Sequence, residues 1–538
     1  MSRFLVRLAG ILAFCAWATA SHRGRAAEAP VRWNILFCFA DDWGRYAGCY
    51  GPLEKGSAVN SLIRTPAIDR IAAEGTLFRN AFAPAPSCTP CRSSLLSGRH
   101  WWRTGRGAIL QGAVWDPAIP SFPLRLRNEA GYHIGKSYKV WSPGQPADGP
   151  FDRQKYAFEK AGRLPNNFSE EATRLIASGA TVEAARAKIV AQAEANFADF
   201  LKARPAGAPW HYFFGATTTH RTWIKGSGRQ LWGLDPENLK GKLPASWPDV
   251  PEVREDVTDY LGECMAWDAY VGALHEAVVA AGEAERTIIV VSGDHGIPGM
   301  PDGKCTLHDL GTGVPLLVRW PGQPGGRVID TLVTLTDLAP TFLEMGGVPF
   351  GSGLDGRSLV PLLTGGGWTP DRESVVYGRE RHVGAAREGG LPYPERAIRT
   401  RDFLLIRHFQ PDRWPMGQPA PHGSVPPVET LERQTFAAFP DMDASPTKAW
   451  LIHHGTEPPW VPLFDRAFGK KPAVELYDLR NDPHQQKNLA DDDAFAGPKA
   501  ELLSKLTAIL TASGDPRVTA DGRTYDRPPF AGTPPTEP

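Results

Sequence analysis

The sequence predicts an α/β protein: a large, mixed but mostly parallel sheet between helices, followed by a smaller C-terminal α+β domain with an antiparallel sheet. Three observations carry this. Several short apolar runs are nearly continuous rather than alternating, as in strands covered on both faces. Two long segments between them hold apolar residues at helical spacing and end near Gly or Pro. Beyond about residue 365 the alternation of strand and helix gives way to stretches rich in proline and glycine.

The elements follow in order. The chain begins "MSRFLVRLAGILAFCAWATASHRG", where Arg3 and Arg7 precede an apolar run from Leu8 to about Ala20, and Ala18-Thr19-Ala20 offers a small-x-small cleavage site. That layout predicts a secretory signal peptide over residues 1–20, cleaved as late as about residue 27, and an exported protein, periplasmic or extracellular. The run is too short to span a bilayer comfortably and no other is long enough, so no membrane span is expected. The first strand candidate, "RWNILFCFADD", ends abruptly in Asp41 and Asp42. Similar runs are "WHYFFGATTTH" near 210–220, "RTIIVVSGDHG" near 286–296 and "PLLVRWPG" near 315–322. Helices are expected over "TVEAARAKIVAQAEANFADFLKA" and "VTDYLGECMAWDAYVGALHEAVVAAG". In the C-terminal part "ERAIRTRDFLLIRHF" reads as paired short strands, "AFAGPKAELLSKLTAILTASG" as one closing helix, and "RPPFAGTPPTEP" as a loosely ordered tail. The expected divisions are residues 30–365, 366–520 and a Pro-rich 521–538.

Net charge is zero, which gives no sign of nucleic acid or an anionic membrane as partner, since either favours a basic excess. Removing Cys15 with the signal leaves Cys38, Cys49, Cys88, Cys91, Cys264 and Cys305, too few in a chain this long for a disulfide scaffold.

Polar clusters stand at three strand ends: Asp41 and Asp42 in "FADDWG", His220 and Arg221 in "TTTHRTW", Asp294 and His295 in "SGDHG". Carboxylates just past apolar strands converge at one edge of a parallel sheet, and several of them without cationic partners predict a hard divalent cation. A turn or helix cap is the plainer alternative for any one pair. The stretch "SCTPCRSSLLSGRH" is harder to place. A redox Cys88-x-x-Cys91 pair should open a helix after a strand, whereas this one follows the proline-bearing loop "NAFAPAPS". A zinc knuckle lacks a second Cys/His pair at suitable spacing, and a disulfide across so short a loop is strained. None of these accounts for Pro90 and Arg92.

Cys88-Thr89-Pro90-Cys91-Arg92, continuing "SSLLSGR", resembles the sulfatase signature, C-x-P-x-R followed by a short helix and G-R. The likeness covers nearly the whole chain. "TPAIDRIAAEGTLFRNAFA" is similar to the family's helix before the signature, "GRHWWRTG" to its exit, and "ELYDLRNDPHQQKNLA" to its C-terminal segment. The resemblance implies an alkaline-phosphatase-like fold, with residues 30–365 as the catalytic domain. It implies that Cys88, which alone has Pro at +2 and Arg at +4, is oxidised by a formylglycine-generating enzyme to Cα-formylglycine. It also implies one Ca²⁺ held by Asp41, Asp42, modified Cys88, Asp294 and His295. A hydroxyl of the hydrated aldehyde would attack sulfur, and the second hydroxyl would then expel sulfate, which a serine could not do. Arg92, Lys139 and Lys304 would surround the sulfuryl oxygens and His220 would protonate the leaving group. Ungapped alignment of "GYHIGKSYKVWSPG" favours Lys139 over Lys136, and puts Tyr138 where glycine is usual and Trp141 where a histidine is usual.

"SGDHGIPGMPDGK" and "LPYPERAIRTRDFLLIRHF" are closer to the heparan N-sulfatase (sulfamidase) branch, which implies a sulfated carbohydrate or other sulfate ester as substrate. Three other readings stay open: a phosphonate or phosphate monoester hydrolase of the same superfamily, a glycan-binding pseudoenzyme if Cys88 stays unmodified or Trp141 blocks the site, and a thiol-redox protein.

Overall fold

Residues 34–40, NILFCFA, form the central strand of the large sheet, and all seven are buried. Their side chains divide by parity. Leu36, Cys38 and Ala40 enter one apolar cluster, while Ile35, Phe37 and Phe39 enter another on the opposite face. A strand buried on both faces needs apolar residues at every position, which is why the run does not alternate. The computed structural model describes residues 32–55, 57–420 and 424–532. The expected signal peptide and the last residues of the tail lie outside them.

Among the described residues there are thirteen strands, numbered here in chain order. β1 is Asn34–Ala40, β2 Thr76–Phe78, β3 Ala81–Phe82, β4 His133–Tyr138, β5 Trp210–Gly215, β6 Thr287–Gly293 and β7 Leu316–Arg319. β8 is Arg327–Ile329, β9 Val333–Thr334, β10 Ser374–Arg379, β11 Glu395–Thr400, β12 Phe403–His408 and β13 Val474–Asp478. The large sheet has the order β4-β5-β1-β6-β7-β2-β8. Pairing is parallel from β4 through β6 and antiparallel on both sides of β7. β4 was not foreseen as a strand, because "HIGKSY" is largely polar or small and carries no apolar run.

The helices used below are α1 Pro66–Glu74, α2 Cys88–Ser97, α3 Val182–Ala203, α4 Pro251–Ala280, α5 Pro446–His454 and α6 Ala496–Ala512. α3 begins where Thr181 accepts a hydrogen bond from the Ala184 amide. α4 starts at Pro251, earlier than its apolar periodicity, since proline at a first helical position loses no hydrogen bond. α3 and α4 cover one face of the sheet, and the signature helix α2 sits on the other with Cys91 and Leu95 in the core.

The second sheet, β10-β11-β12-β13, is antiparallel throughout. The closing helix α6 lays Leu502, Leu506 and Leu510 over Ile398, Leu405 and Leu476. The described part of the tail is packed rather than loose. Tyr525 and Phe530 stack edge-on at 4.9 Å beside Trp101, and the Tyr525 hydroxyl donates to the Trp102 carbonyl at 3.4 Å. Burying Tyr525 and partly burying Phe530 outweighs the proline-rich composition of a short segment. Among the described residues no helix is long and apolar enough to cross a membrane.

Candidate active site

β1 and β6 are neighbours, so the residues just past their ends meet. Asp42 turns the chain sharply at φ 58°, and its amide donates to Asp294 Oδ1 at 2.8 Å. The turn is held from outside by the Tyr260 hydroxyl, which donates to the Asp42 carbonyl at 3.0 Å. Gly293 permits this closeness: a Cβ there would lie 2.2 Å from the Trp43 carbonyl oxygen.

Cys88 opens α2, at the end of a helix where unpaired amides leave partial positive charge. Its Sγ lies 3.4 Å from His295 Nε2 and 3.8 Å from Asp42 Oδ1. One turn on, Arg92 is fully buried, with Nε donating to Asp294 Oδ2 at 2.9 Å and a terminal nitrogen to Asp41 Oδ1 at 3.0 Å. Its guanidinium rests 4.9 Å over the Phe39 ring. Lys139 Nζ reaches both Asp41 oxygens at 2.7 Å, and Lys304 Nζ reaches Asp42 Oδ2 at 2.9 Å. His220 Nε2 is 3.9 Å from Asp42 Oδ2, at the rim, with 36% of its side chain exposed.

The structure thus brings together every residue named from the sequence as catalytic or metal-binding, with two corrections. The acids do not lack cationic partners: Asp41 is shared by Arg92 and Lys139, Asp42 by Lys304, and Asp294 by Arg92. Burial pushes the Asp41 carboxyl up, but Lys139 and then Arg92 outweigh it and hold the group well below the usual carboxylate range. Second, the Cys88-x-x-Cys91 pair does open a helix after a short strand, β3, so placement alone does not set redox chemistry aside. Burial does. Buried, with Asp41 next in effect, Cys88 has its thiol pKa pushed well up, and burial with Asp294 does the same to Cys91, which works against the thiolate that redox exchange needs. Cys91 Sγ donates to the Asp294 carbonyl at 2.9 Å, and the six described cysteines are all unpaired.

The lysine ambiguity resolves by geometry. Lys136 points into a separate buried pocket, donating to Asp148 Oδ2 at 2.8 Å, whereas Lys139 lies past the end of β4 among the acids. Tyr138 adopts φ 70°, the left-handed region that glycine enters freely, and its hydroxyl accepts from Asn196 at 3.0 Å. Trp141 turns into the core behind α2, its indole donating to Ser93 Oγ at 2.8 Å, rather than standing before Cys88.

Donor atoms of Asp42, Cys88, Asp294 and His295 all lie within 4.8 Å of one another, and Asp41, Asp42 and His220 form a second such group. The carboxylates of Asp42 and Asp294 and the His295 imidazole, with Asp41 beside them, make a mostly oxygen donor set, which fits a hard divalent cation. Two residues were not foreseen. Asp443 Oδ2 lies 3.2 Å from Lys304 Nζ, and His382 Nδ1 lies 2.8 Å from Ser87 Oγ. Neither stands in a motif, and both come from the C-terminal part of the chain.

A buried residue at a helix start, acids at two strand ends and three cations around them define a hydrolase of anionic esters on an α/β sheet. The chain belongs to the sulfatase family: the family profile described as Sulfatase matches residues 34–348, and that described as N-sulphoglucosamine sulphohydrolase, C-terminal, matches residues 296–418. It is a sulfuric ester hydrolase of the sulfamidase-like branch. Human N-sulphoglucosamine sulphohydrolase is 28% identical over 522 residues, covering 90% of this chain and 91% of the relative. An ulvan-active sulfatase of Formosa agariphila is 26% identical over 503 residues, covering 90% and 80%. In fold the chain is also similar to the phosphonate monoester hydrolase of Agrobacterium radiobacter, with TM-score 0.60, 19% identity and coverage of 90% and 96%.

Proposed function

We propose that this chain is exported and removes sulfate from O-sulfated or N-sulfated sugars of a glycan, using Cα-formylglycine made from Cys88 and one Ca²⁺. The carrying observation is that Cys88 opens α2 at the centre of the constellation, with its Sγ 3.4 Å from His295 Nε2 and 3.8 Å from Asp42 Oδ1, where burial raises the thiol pKa and works against a thiolate nucleophile. An aldehyde hydrate at that position would supply oxygen where the thiol supplies nothing, which requires a formylglycine-generating enzyme as maturation partner. Asp42, Asp294, His295 and the oxygen at position 88, with Asp41 beside them, would hold the Ca²⁺, whose charge would acidify a hydroxyl and polarise the sulfuryl group.

The protein's own residues divide the remaining work. Arg92 bridges Asp41 and Asp294 and, with its nitrogens taken up by these acids and by backbone carbonyls, would orient the acids and not face the sulfuryl oxygens as expected from the resemblance. Lys304 and Lys139 supply charge for the sulfuryl oxygens in a buried setting, where electrostatic stabilisation is strongest. His220, at the rim, is placed to give a proton to the departing alcohol or amine. The sulfamidase-like relatives support the sugar substrate. The test is mass spectrometry of the tryptic peptide "NAFAPAPSCTPCR" from natively secreted protein after thiol alkylation. One alkylated cysteine plus an aldehyde at position 88 is expected, followed by release of sulfate from N-sulfoglucosamine or sugar sulfates. Two alkylated cysteines would overturn the aldehyde, and turnover of phosphonate monoesters alone would move the activity to the neighbouring class.

A further inference from the structure

The outer wall of the site comes from the segment between β12 and β13, remote from every motif. Lys448 is fully buried, and its Nζ donates to the carbonyls of Thr435, Phe439 and Met442 at 3.0, 3.2 and 2.7 Å. Ser445 caps α5 by accepting from the Lys448 amide at 2.8 Å, and donates to the Gly299 carbonyl at 2.8 Å. Thr447 donates to Asp256 Oδ2 at 2.6 Å, and the same carboxylate receives two nitrogens of Arg221, the neighbour of His220. One turn of chain is therefore tied down on three sides, and the residue it presents is Asp443.

Asp443 Oδ2 is buried and pairs with Lys304 Nζ at 3.2 Å by charge without a hydrogen bond, among the described residues no hydrogen bond reaches Oδ1 either, and the side chain keeps 16% exposure. His220 and His382 are among the groups that act on it electrostatically. A carboxylate here opposes the approach of an anionic sulfuryl group, so it does not serve the sulfuryl oxygens. A free acceptor on the same rim as the proton donor His220 suits a donor across the scissile bond, on the group that leaves.

We infer that Asp443 is a specificity-determining residue that accepts a hydrogen bond from an N–H or O–H of a sugar leaving group, selecting amino-sugar sulfamates and sugar sulfates over aryl sulfates. This rests on the sulfatase reading above. The full-length mature protein and its Asp443→Ala and Asp443→Asn variants are assayed on N-sulfoglucosamine, glucose 6-sulfate and 4-nitrophenyl sulfate, whose leaving group has neither N–H nor O–H. Loss of a hydrogen bond to a charged acceptor lowers the sugar-to-aryl ratio of kcat/KM about 10- to 100-fold in Asp443→Ala, and less in Asp443→Asn, which keeps a neutral acceptor. The two sugar substrates tell N–H from O–H recognition. A ratio that moves less than about twofold in both variants overturns the inference, even if all rates fall together, because a purely structural role affects every substrate alike. Calorimetric binding of D-glucosamine is the second readout. If the parent protein turns over none of the substrates, the sulfatase reading falls, and tenfold weaker glucosamine binding by Asp443→Ala still supports the subsite. Equal binding, or none by the parent protein, overturns it.

Discussion

Arg92 is the residue on which the site's electrostatics turn, and Arg92→Met tests that directly. The replacement keeps the apolar stem but removes the guanidinium and its hydrogen bonds to Asp294, Asp41 and the carbonyls of Ala40, Lys139 and Val140. Asp41 retains Lys139, so its loss is partial. Asp294 retains the Asp42 amide and His295 Nε2 at 3.6 Å, which is a cation only when protonated, and it has no exposed surface through which water could compensate. Leaving one carboxylate buried without its partner costs about 3–5 kcal/mol. At about 2.1 cal/mol/K of unfolding entropy per residue, a chain of this size loses about 1 kcal/mol per degree, so the midpoint should fall by about 3–5 °C. The assay is thermal unfolding of both proteins with a chelator present, repeated with added Ca²⁺. Because a cation at Asp294 would replace the lost charge, the deficit should shrink when Ca²⁺ is added. A variant that melts within about 1 °C of the parent in chelator would refute the argument, since the carboxylate would then not depend on Arg92.

Other outcomes follow from the same geometry. Cys88→Ala should be inactive while Cys91→Ser keeps activity within a fewfold, because Cys91 only donates to a carbonyl; loss in both would restore a dithiol role. Lys139→Ala should lower kcat/KM by about 100-fold or more, whereas Lys136→Ala should mainly lower the melting point by stranding buried Asp148; a reversal of the two would mean that the wrong lysine faces the sulfuryl group. His408 lies between Glu395 and Glu475 at 3.3 and 3.5 Å, and although burial works against its charge, these carboxylates raise its pKa to about 9. A folded pKa above the unfolded value of about 6.5 gives stability, about 3 kcal/mol, that is fully present below pH about 6.5 and lost as pH rises through about 9. The melting-point gap between the parent and His408→Gln should therefore close toward pH about 10, and parallel curves would sink the assignment.

Much of this protein was legible along the chain because the signals are local. An unbroken apolar run followed by Asp41 and Asp42 marks a doubly covered strand and its polar end, and Cys88-x-Pro90-x-Arg92 sets a cysteine one helical turn from a cation. The closing helix and the β11–β12 hairpin were equally plain from periodicity. β4 was hidden because its residues are polar or small, and the packed tail because two rings outweigh a proline-rich composition.

What only the tertiary structure decided is who faces whom. The sequence by itself placed several acids near strand ends and offered Lys136 and Lys139 as alternatives, but three residues of spacing and a left-handed Tyr138 separate a lysine buried with Asp148 from one placed on Asp41. It contained no sign that the acids are already paired with cations, since charge pairing depends on distance in space and not on order in the chain. Asp443 carried no motif at all. Its position depends on Lys448, Ser445 and Thr447 fastening one turn against Gly299 and Asp256, contacts between residues far apart in sequence. Local chemistry is written in neighbouring residues; the wall that chooses a substrate is assembled from distant ones, and only packing brings it to the site.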